Sequence, residues 1–321
     1  MKFFKLRSHF RQCTYVLMVV LLCVLSASKI NRTLPDTIIL NDLQWQDHRM
    51  STFILPGDTL AIEFLSQADV SFQAPGGRFV RETCTRMLWI APGQSGIYPV
   101  EVLNANSSDT LFPIAAFVLI PFDSLKNGIL NKYPIGAYPT NKYKKLDSYS
   151  KPMGFIEVTD ENKTTQLSTH FQLQQFLCKQ SSQFPQYVVI KPELLKKLEL
   201  IVVNLQQNGM AISTLHMMSG YRTPIYNHAI GNVQYSRHIY GDAADIFIDL
   251  DPQDNWMDDI NHDGEINLLD AERLANLIEE WSDQPAFEGL QGGLSAYPGN
   301  GVHGPFVHID TRGFETRWGD D

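Results

Sequence analysis

This sequence contains few cysteines and has no excess of positive charge. The chain has 321 residues and 4 cysteines, of which only Cys84 and Cys178 lie beyond the first 29 residues. Two cysteines cannot supply the disulfide framework of a small secreted domain, so we expect a fold that depends on a hydrophobic core. Whether the two thiols pair is left open. The formal net charge of −9 argues against nucleic acid as a partner, because phosphate binding requires a basic surface.

Long hydrophobic runs are absent as well. One apolar stretch, residues 15–25, is shorter than the roughly 20 residues that span a bilayer. Small residues, Ser26-Ala-Ser28, follow it, and four basic residues precede it: Lys2, Lys5, Arg7 and Arg11. This order is typical of a secretory signal. We therefore predict a signal peptide or an uncleaved signal anchor over residues 1–29, and an exported protein.

Residues 30–122 have the pattern of an all-β domain. Leu60, Ile62 and Phe64 alternate with small or polar neighbours, the period of a strand that buries one face. Turn sequences rich in Pro and Gly, such as residues 91–96, separate this strand from those that follow. Several short strands at this spacing predict an immunoglobulin-like sandwich. Because it contains no catalytic constellation, we interpret it as a spacer or docking module.

The remainder divides into a linker and a second domain. Residues 123–165 are repeatedly interrupted by Gly and Pro and are predicted to form the linker. In residues 166–321, leucines at helical spacing begin after Pro192, a proline position typical of a helix start, and end before Gly209. Strand-like segments follow this helix, so the second domain is predicted to be α+β.

The second domain contains three motifs, two of which carry side chains that can bind metal ions. The central one reads Ser-Arg-His-Ile-Tyr-Gly-Asp-Ala-Ala-Asp and contains His238 and Asp245. A neutral imidazole and a carboxylate together suit Zn²⁺, and Gly241 allows a tight turn that brings them together. Ser-Gly-Tyr-Arg-Thr-Pro at residues 219–224 precedes this motif, and Phe-Val-His-Ile-Asp at residues 306–310 offers a further histidine.

Taken in order, these motifs resemble those of the zinc D-Ala-D-Ala carboxypeptidase and murein endopeptidase family, over roughly the C-terminal half of the chain. The resemblance implies a zinc ion bound by one aspartate and two histidines, which fall on His238, Asp245 and His308. Three protein ligands leave a fourth position for water, the arrangement of a catalytic zinc. It also implies a peptidoglycan peptide as substrate. For an exported chain this places the protein in the periplasm or cell envelope, with the N-terminal anchor as the one link to the membrane.

The resemblance also assigns residues to substrate binding and proton transfer. It places Arg222 facing the substrate, where a guanidinium suits a carboxylate or a developing oxyanion. Two weaker candidates for lining the same cleft are Tyr221 and Ser236. The relatives often carry a Glu a few residues before the last histidine, and this sequence has none there. Asp310, on the same strand face as His308, is favoured as general base or as support for that ligand, with His303 as the alternative base.

Between the second and third zinc ligands lies the pattern of an EF-hand calcium loop. It has oxygen-bearing side chains at the required positions and Gly264 at the sharp turn. The predicted Ca²⁺ ligands are Asp259, Asn261, Asp263, Glu265 (at the backbone-carbonyl position) and Asp270. Asp270 stands where the commonest loop has Glu, and this variant resembles the loops of dockerin modules. We predict one structural calcium site in an insertion of about residues 251–285.

Together these features predict an α+β zinc peptidase domain preceded by an all-β immunoglobulin-like sandwich. The expected activity is hydrolysis of a peptide bond in peptidoglycan by a metal-activated water, as a carboxypeptidase or an endopeptidase. The alternative is a catalytically inactive zinc-fold module that binds cell-wall peptide or a protein partner. The missing glutamate favours this alternative, whereas the intact ligand set favours the enzyme.

Overall fold

The computed structural model describes residues 35–46 and 49–318. The predicted signal segment, residues 1–29, lies outside the described residues. Within the described ranges, no helix combines the length and the apolar character needed to cross a membrane. Cys84 is exposed, Cys178 is buried, and both are free thiols. The pairing that the sequence left open is therefore not formed.

The N-terminal region consists of two sheets. Its strands are β1 (Ile38–Leu40), β2 (Leu43–Trp45), β3 (Met50–Ile54), β4 (Thr59–Glu63), β5 (Val70–Gln73), β6 (Arg78–Arg81), β7 (Arg86–Ile90), β8 (Gly96–Asn104) and β9 (Thr110–Val118). One sheet has the strand order β2-β1-β4-β7-β6 and the other the order β3-β9-β8-β5. The strands β3 and β9 pair in parallel.

The two sheets face each other across a layer of aromatic and aliphatic side chains. Leu60 and Ile62 on β4 are completely buried, as their alternation predicts. Ring contacts cross from sheet to sheet, with centroids 6.5 Å apart for Phe64 and Phe112. An all-β N-terminal region thus agrees with the sequence pattern, while its immunoglobulin-like arrangement stays a prediction.

The segment predicted as a linker has regular structure and packs onto the second domain. It contains β11 (Ile129–Leu130), β12 (Tyr133–Pro134) and β13 (Gly154–Val158), while β10 (Ile120–Pro121) precedes it and β14 (Gln186–Val188) follows it. Strands β10, β13 and β14 form one antiparallel sheet, and β11 pairs with β12. The buried hydroxyl of Tyr138 lies 2.8 Å from that of Tyr221. This hydrogen bond ties the connecting segment to the Ser-Gly-Tyr-Arg motif.

The second domain combines helices with a five-stranded sheet. Its elements are α1 (Pro192–Gln207), β15 (His216–Ser219), α2 (Pro224–Ala229), β16 (Ala243–Phe247), α3 (Leu268–Ser282), β17 (Gly293–Tyr297), β18 (Phe306–Asp310) and β19 (Thr316–Arg317). The strand order is β15-β16-β18-β17-β19. Helix α1 begins at Pro192, as the sequence predicts, and buries its leucines. The central strands β16 and β18 are buried along their whole length, so any polar side chain on them must find a partner.

Candidate metal centre

Strand register brings two of the predicted zinc ligands side by side. In the antiparallel pair of β16 and β18, Asp245 stands directly opposite His308. Side chains at opposite positions of an antiparallel pair lie on the same face of the sheet. The His308 Nδ1 atom accordingly lies 2.8 Å from Asp245 Oδ1. Two residues 63 positions apart in sequence thus form one site.

The third predicted ligand, His238, comes from the short turn before β16. Its Nδ1–H donates to the carbonyl of Gly220 at 2.7 Å, which leaves Nε2 pointing toward Asp245 Oδ1 at 3.2 Å. Gly241 ends the turn with a φ of 73°. A Cβ at this position would lie 2.3 Å from the carbonyl oxygen of Val189, so both the backbone conformation and the packing require glycine here.

The three side chains satisfy the requirements of a zinc site. One ligand atom from each of His238, Asp245 and His308 lies within 4.8 Å of the others, and all three residues are buried. Among residues 35–46 and 49–318, no other group of three His, Cys, Asp or Glu side chains meets this criterion. The second nitrogen of each histidine is held by an oxygen, Gly220 O for His238 and Asp310 Oδ2 for His308. This is the outer support that orients metal-binding histidines, and an N₂O donor set suits Zn²⁺.

The electrostatics of the cluster favour the deprotonated, metal-binding forms of His238 and Asp245 but not that of His308. Burial lowers the pKa of His238, which keeps its imidazole neutral. Burial alone would raise the pKa of Asp245, but the two neighbouring histidines hold it well below its usual range. Burial likewise opposes protonation of His308, yet hydrogen bonds to Asp245 and Asp310 raise its pKa. Metal binding therefore competes with protonation of His308, because metal ligands bind in the deprotonated form.

Arg222 lies beside the metal centre, as the sequence predicts. Its Nε–H donates to Ser219 Oγ at 2.8 Å, and its guanidinium forms an ion pair with Asp245. The guanidinium is mostly buried and is fixed on two sides. A fixed cation next to the predicted ligands can bind a negatively charged oxygen of a substrate.

Asp310 supports His308 and does not line the adjacent cavity. Its carboxylate accepts hydrogen bonds from His308 Nε2 at 3.2 Å, from Gly293 N at 2.8 Å and from Arg312 Nε at 2.9 Å. Burial would raise its pKa, but the bonds from His308 and Arg312 hold that pKa far below the usual range. Such a carboxylate stays ionised and poorly basic. Of the two roles the sequence allows Asp310, its environment favours support of the ligand.

A cavity of about 860 Å³ opens onto the metal centre. His303 and Ser236, both predicted near the substrate, line it. His303 donates from Nδ1 to Gly304 O at 2.8 Å, and its Nε2 accepts from Asn300 Nδ2 at 2.8 Å. Tyr221, in contrast, does not line the cavity as the sequence predicts. It is only 1% exposed, and its hydroxyl forms a hydrogen bond with that of Tyr138 behind the motif.

Several residues that line the cavity escape sequence reasoning. Aromatic side chains outside the motifs form much of its wall: Tyr143, Tyr149, Tyr226, Tyr235, Tyr297 and Trp318. The Trp318 ring centroid lies 5.3 Å from that of His308. Lys179 also lines the cavity, although it lies upstream of every motif. No pattern in the sequence distinguishes these residues from packing or surface residues, because only the fold brings them to the metal centre.

The predicted calcium loop has a turn but no converging cluster of carboxylates. Asp259 accepts backbone N–H groups of Asp263 and Gly264, at 3.2 and 2.8 Å. Asp270 is fully buried and accepts from the backbone of Ile260 at 3.0 Å and of Asn267 at 2.9 Å. These bonds fix the loop at the start of α3. Calcium binding itself stays a prediction.

Comparison with known proteins supports the family that the motifs resemble. The family model described as Peptidase M15 matches residues 169–257. The match includes Arg222, His238 and Asp245, and it ends before the calcium loop and His308. No curated protein and no solved structure matches the chain. The match and the buried His-Asp-His cluster together support a zinc-dependent peptidase.

Proposed function

We propose that this chain is an exported zinc metallopeptidase that hydrolyses peptide bonds of peptidoglycan, as a D-Ala-D-Ala carboxypeptidase or a murein endopeptidase. The observation that carries the proposal is the convergence of His238, Asp245 and His308 at a large cavity. Three buried ligands at an accessible cavity are the arrangement of a catalytic metal site, since a structural zinc is closed by a fourth protein ligand.

The residues around the cluster have different roles in the proposed hydrolysis. Zinc, when bound, supplies an acidified water and polarises the scissile carbonyl. Asp310 and the Gly220 carbonyl orient the two histidines through their outer nitrogens. Arg222, held by Ser219 and Asp245, stabilises the negative charge that develops on the carbonyl oxygen.

We assign proton transfer to His303 in preference to Asp310. His303 lines the cavity, whereas the Asp310 carboxylate is completely buried and bound to Arg312. A general base must reach the proton that it removes, directly or through one water. The His303 nitrogen that could accept the proton is Nε2, where Asn300 now donates a hydrogen bond. Substrate binding would have to displace the Asn300 amide before this nitrogen accepts a proton.

A calcium ion in the loop of residues 259–270 is a second part of the proposal. Asp259, Asn261 and Asp263 lie close enough to exchange hydrogen bonds through the loop backbone, and Gly264 takes a φ of 90° at the turn. The backbone carbonyl of Glu265 and the carboxylate of Asp270 would complete the oxygen set. This ion would be structural, because it fixes the start of α3 rather than facing the cavity.

A non-catalytic binding module is the second candidate, and one observation favours it. Among the described residues that line the cavity, Asp245 is the sole carboxylate, so none of them offers a free Glu or Asp as a base. The same cavity could then bind cell-wall peptide without cleaving it. Both candidates would bind cell-wall peptide, but only the peptidase would cleave it.

Digestion of purified peptidoglycan sacculi separates them. The full chain, purified in mild detergent, would be stripped with a chelator and re-supplied with Zn²⁺ or with Ca²⁺, and the products would be identified by mass spectrometry. We expect release of a terminal D-Ala, or splitting of cross-linked muropeptides, that Zn²⁺ restores and His238→Ala abolishes. Stoichiometric zinc with no product at all would favour the binding module.

A further inference from the structure

The cationic side chains around the cavity differ in whether they are paired with a carboxylate. Within the part of the chain that the structure describes, four line it: Lys179, Arg222, Arg237 and Arg312. Each of the three arginines is paired with a carboxylate: Arg222 with Asp245, Arg237 with Asp242, and Arg312 with Asp310. Their charges are therefore largely neutralised within the protein.

Lys179 is the exception. It has no hydrogen bond and no ion pair with any residue of the described ranges, and it is exposed toward the cavity. Partial burial and the nearby charge of Arg222 lower the pKa of its ammonium, while Asp245 opposes this shift. The lysine thus lies within electrostatic reach of the metal centre and supplies the uncompensated positive charge of the cavity.

The segment that carries Lys179 is fixed to the Ser-Gly-Tyr-Arg motif on both sides. The Thr223 N–H donates to Cys178 Sγ at 3.4 Å, and the Thr223 hydroxyl donates to Gln180 Oε1 at 2.6 Å. Further back, the backbone of Phe176 packs so closely on Gly220 that a Cβ there would lie 2.9 Å from the Phe176 Cα. These contacts hold the backbone of Lys179 beside Arg222, so its position is determined by the fold.

We propose that the Lys179 ammonium binds a free carboxylate of the peptide substrate and so determines which peptides enter the site; this rests on the proposed function. A lysine is a compact charge with three donors, and a charge-assisted bond in a cleft is stronger than a neutral one. The chain carries a net charge of −9, which repels anionic peptides, so a local positive charge is needed to attract them. The carboxylate is either the C-terminus of the peptide or an acidic side group.

Binding measurements with matched peptides test this assignment and distinguish the two sources. The probe is the N-acetylated peptide L-Ala-γ-D-Glu-L-Lys-D-Ala-D-Ala, and two derivatives each have one carboxylate converted to a carboxamide, at the C-terminus or on the D-Glu. Dissociation constants would be measured by calorimetry on the zinc-loaded full chain, with wild type, Lys179→Met and Lys179→Arg. Lys126→Met removes an exposed lysine that does not line the cavity and is the matched control.

We expect Lys179→Met to weaken binding of the parent peptide roughly 10–100-fold, as loss of a charged hydrogen bond implies. Lys179→Arg should recover most of it, and Lys126→Met should bind like wild type. The penalty of Lys179→Met should vanish for the one derivative that lacks the recognised carboxylate, which identifies the source. An equal penalty for all three peptides, or none for any, would overturn the proposal.

Mass spectrometry of the same mixtures separates this inference from the proposed function. Cleavage by wild type with no dependence on Lys179 would overturn the carboxylate site alone. A Lys179-dependent affinity without cleavage would overturn the hydrolase and leave the carboxylate site standing. Failure of the wild type both to bind and to cleave any peptide would overturn the two together.

Discussion

The two predicted metal sites of this chain are built in opposite ways. The zinc ligands come from a turn and two strands, are buried, and converge to within 4.8 Å of one another. The predicted calcium ligands lie within twelve consecutive residues, 259–270, and only Asp270 among them is buried. In that loop the carboxylates bind backbone N–H groups instead of converging.

This difference shows which interactions position the ligands of each site. The zinc donors are positioned by β-sheet register and by outer hydrogen bonds to Gly220 and Asp310. The calcium loop has only local bonds, so the ion would supply much of its order. Changes at the zinc centre should therefore affect chemistry strongly, whereas changes in the loop should affect stability moderately.

The largest expected effect comes from removing one ligand charge at each site. Asp245→Asn deletes an anionic zinc ligand and leaves Arg222 without its ion-pair partner. We expect zinc content well below stoichiometric and a loss of hydrolysis greater than the roughly 10–100-fold typical of an outer partner. Metal analysis and muropeptide digestion measure both quantities.

Asp263→Asn in the calcium loop is the matched control for that change. It alters the same functional group in a loop that does not face the cavity, so zinc content and hydrolysis should remain close to wild type. Stoichiometric zinc in Asp245→Asn would show that the ligand set is wrong. Loss of hydrolysis in Asp263→Asn would show that the two sites are coupled.

A glycine in each site gives the next largest effect. Gly241 and Gly264 both have positive φ, 73° and 90°. An added Cβ at Gly241 would also overlap the Val189 carbonyl, whereas at Gly264 nothing lies within 4 Å. Gly241→Ala should cost about 2–5 kcal/mol of unfolding free energy, the sum of backbone strain and overpacking. Gly264→Ala should cost only about 1–2 kcal/mol. Urea unfolding compares them, and equal losses would contradict the packing argument.

Asp310→Asn tests outer support of the zinc centre. The amide keeps the shape of the side chain and loses the charge that orients His308 and binds Arg312. Zinc affinity should fall about 10–100-fold, measured by competition with a chelator. If zinc still binds with unchanged affinity while turnover collapses, Asp310 is instead the general base.

The pH dependence of stability is a second test of the role assigned to Asp310. Its pKa is lower in the folded protein than the unfolded value of about 3.9. The ionised carboxylate therefore contributes stability that is present above about pH 5 and is lost as the pH falls below that. Wild type should exceed Asp310→Asn in stability at neutral pH, and this difference should shrink between about pH 5 and pH 3. A difference that does not change with pH would contradict the assignment.

The sequence predicts the parts of the zinc centre that are local and misses those that depend on tertiary packing. His238, Asp245 and His308 lie in motifs whose residue types already indicate metal binding, and β-strand register then brings them together. Tyr221 lies in such a motif too, yet its side chain points away from the cavity, because a buried hydroxyl needs a partner and Tyr138 supplies one.

Lys179 shows the opposite case. Nothing near it in sequence indicates a site, and its importance follows only from the contacts of Cys178 and Gln180 with Thr223. The connecting segment is similar: its Gly and Pro residues predict a linker, but Gly154 permits a close approach to the Ile120 carbonyl that allows β10 and β13 to pair. Sequence pattern indicates which residues can do chemistry, and the fold decides which of them meet.

The smallest expected effect is stabilisation by calcium. An extracellular EF-hand type of loop binds Ca²⁺ with a dissociation constant of about 10⁻⁴–10⁻³ M. A few millimolar Ca²⁺ should then add about 1–2 kcal/mol to the unfolding free energy, by mass action on the folded state. Asp263→Ala, which removes an oxygen ligand, should abolish this increment, and Mg²⁺ at the same concentration should give less of it. Thermal unfolding of the zinc-loaded protein, with and without Ca²⁺, measures the increment. If Ca²⁺ stabilises wild type and Asp263→Ala equally, the ion acts elsewhere, and the loop is held by its backbone hydrogen bonds alone.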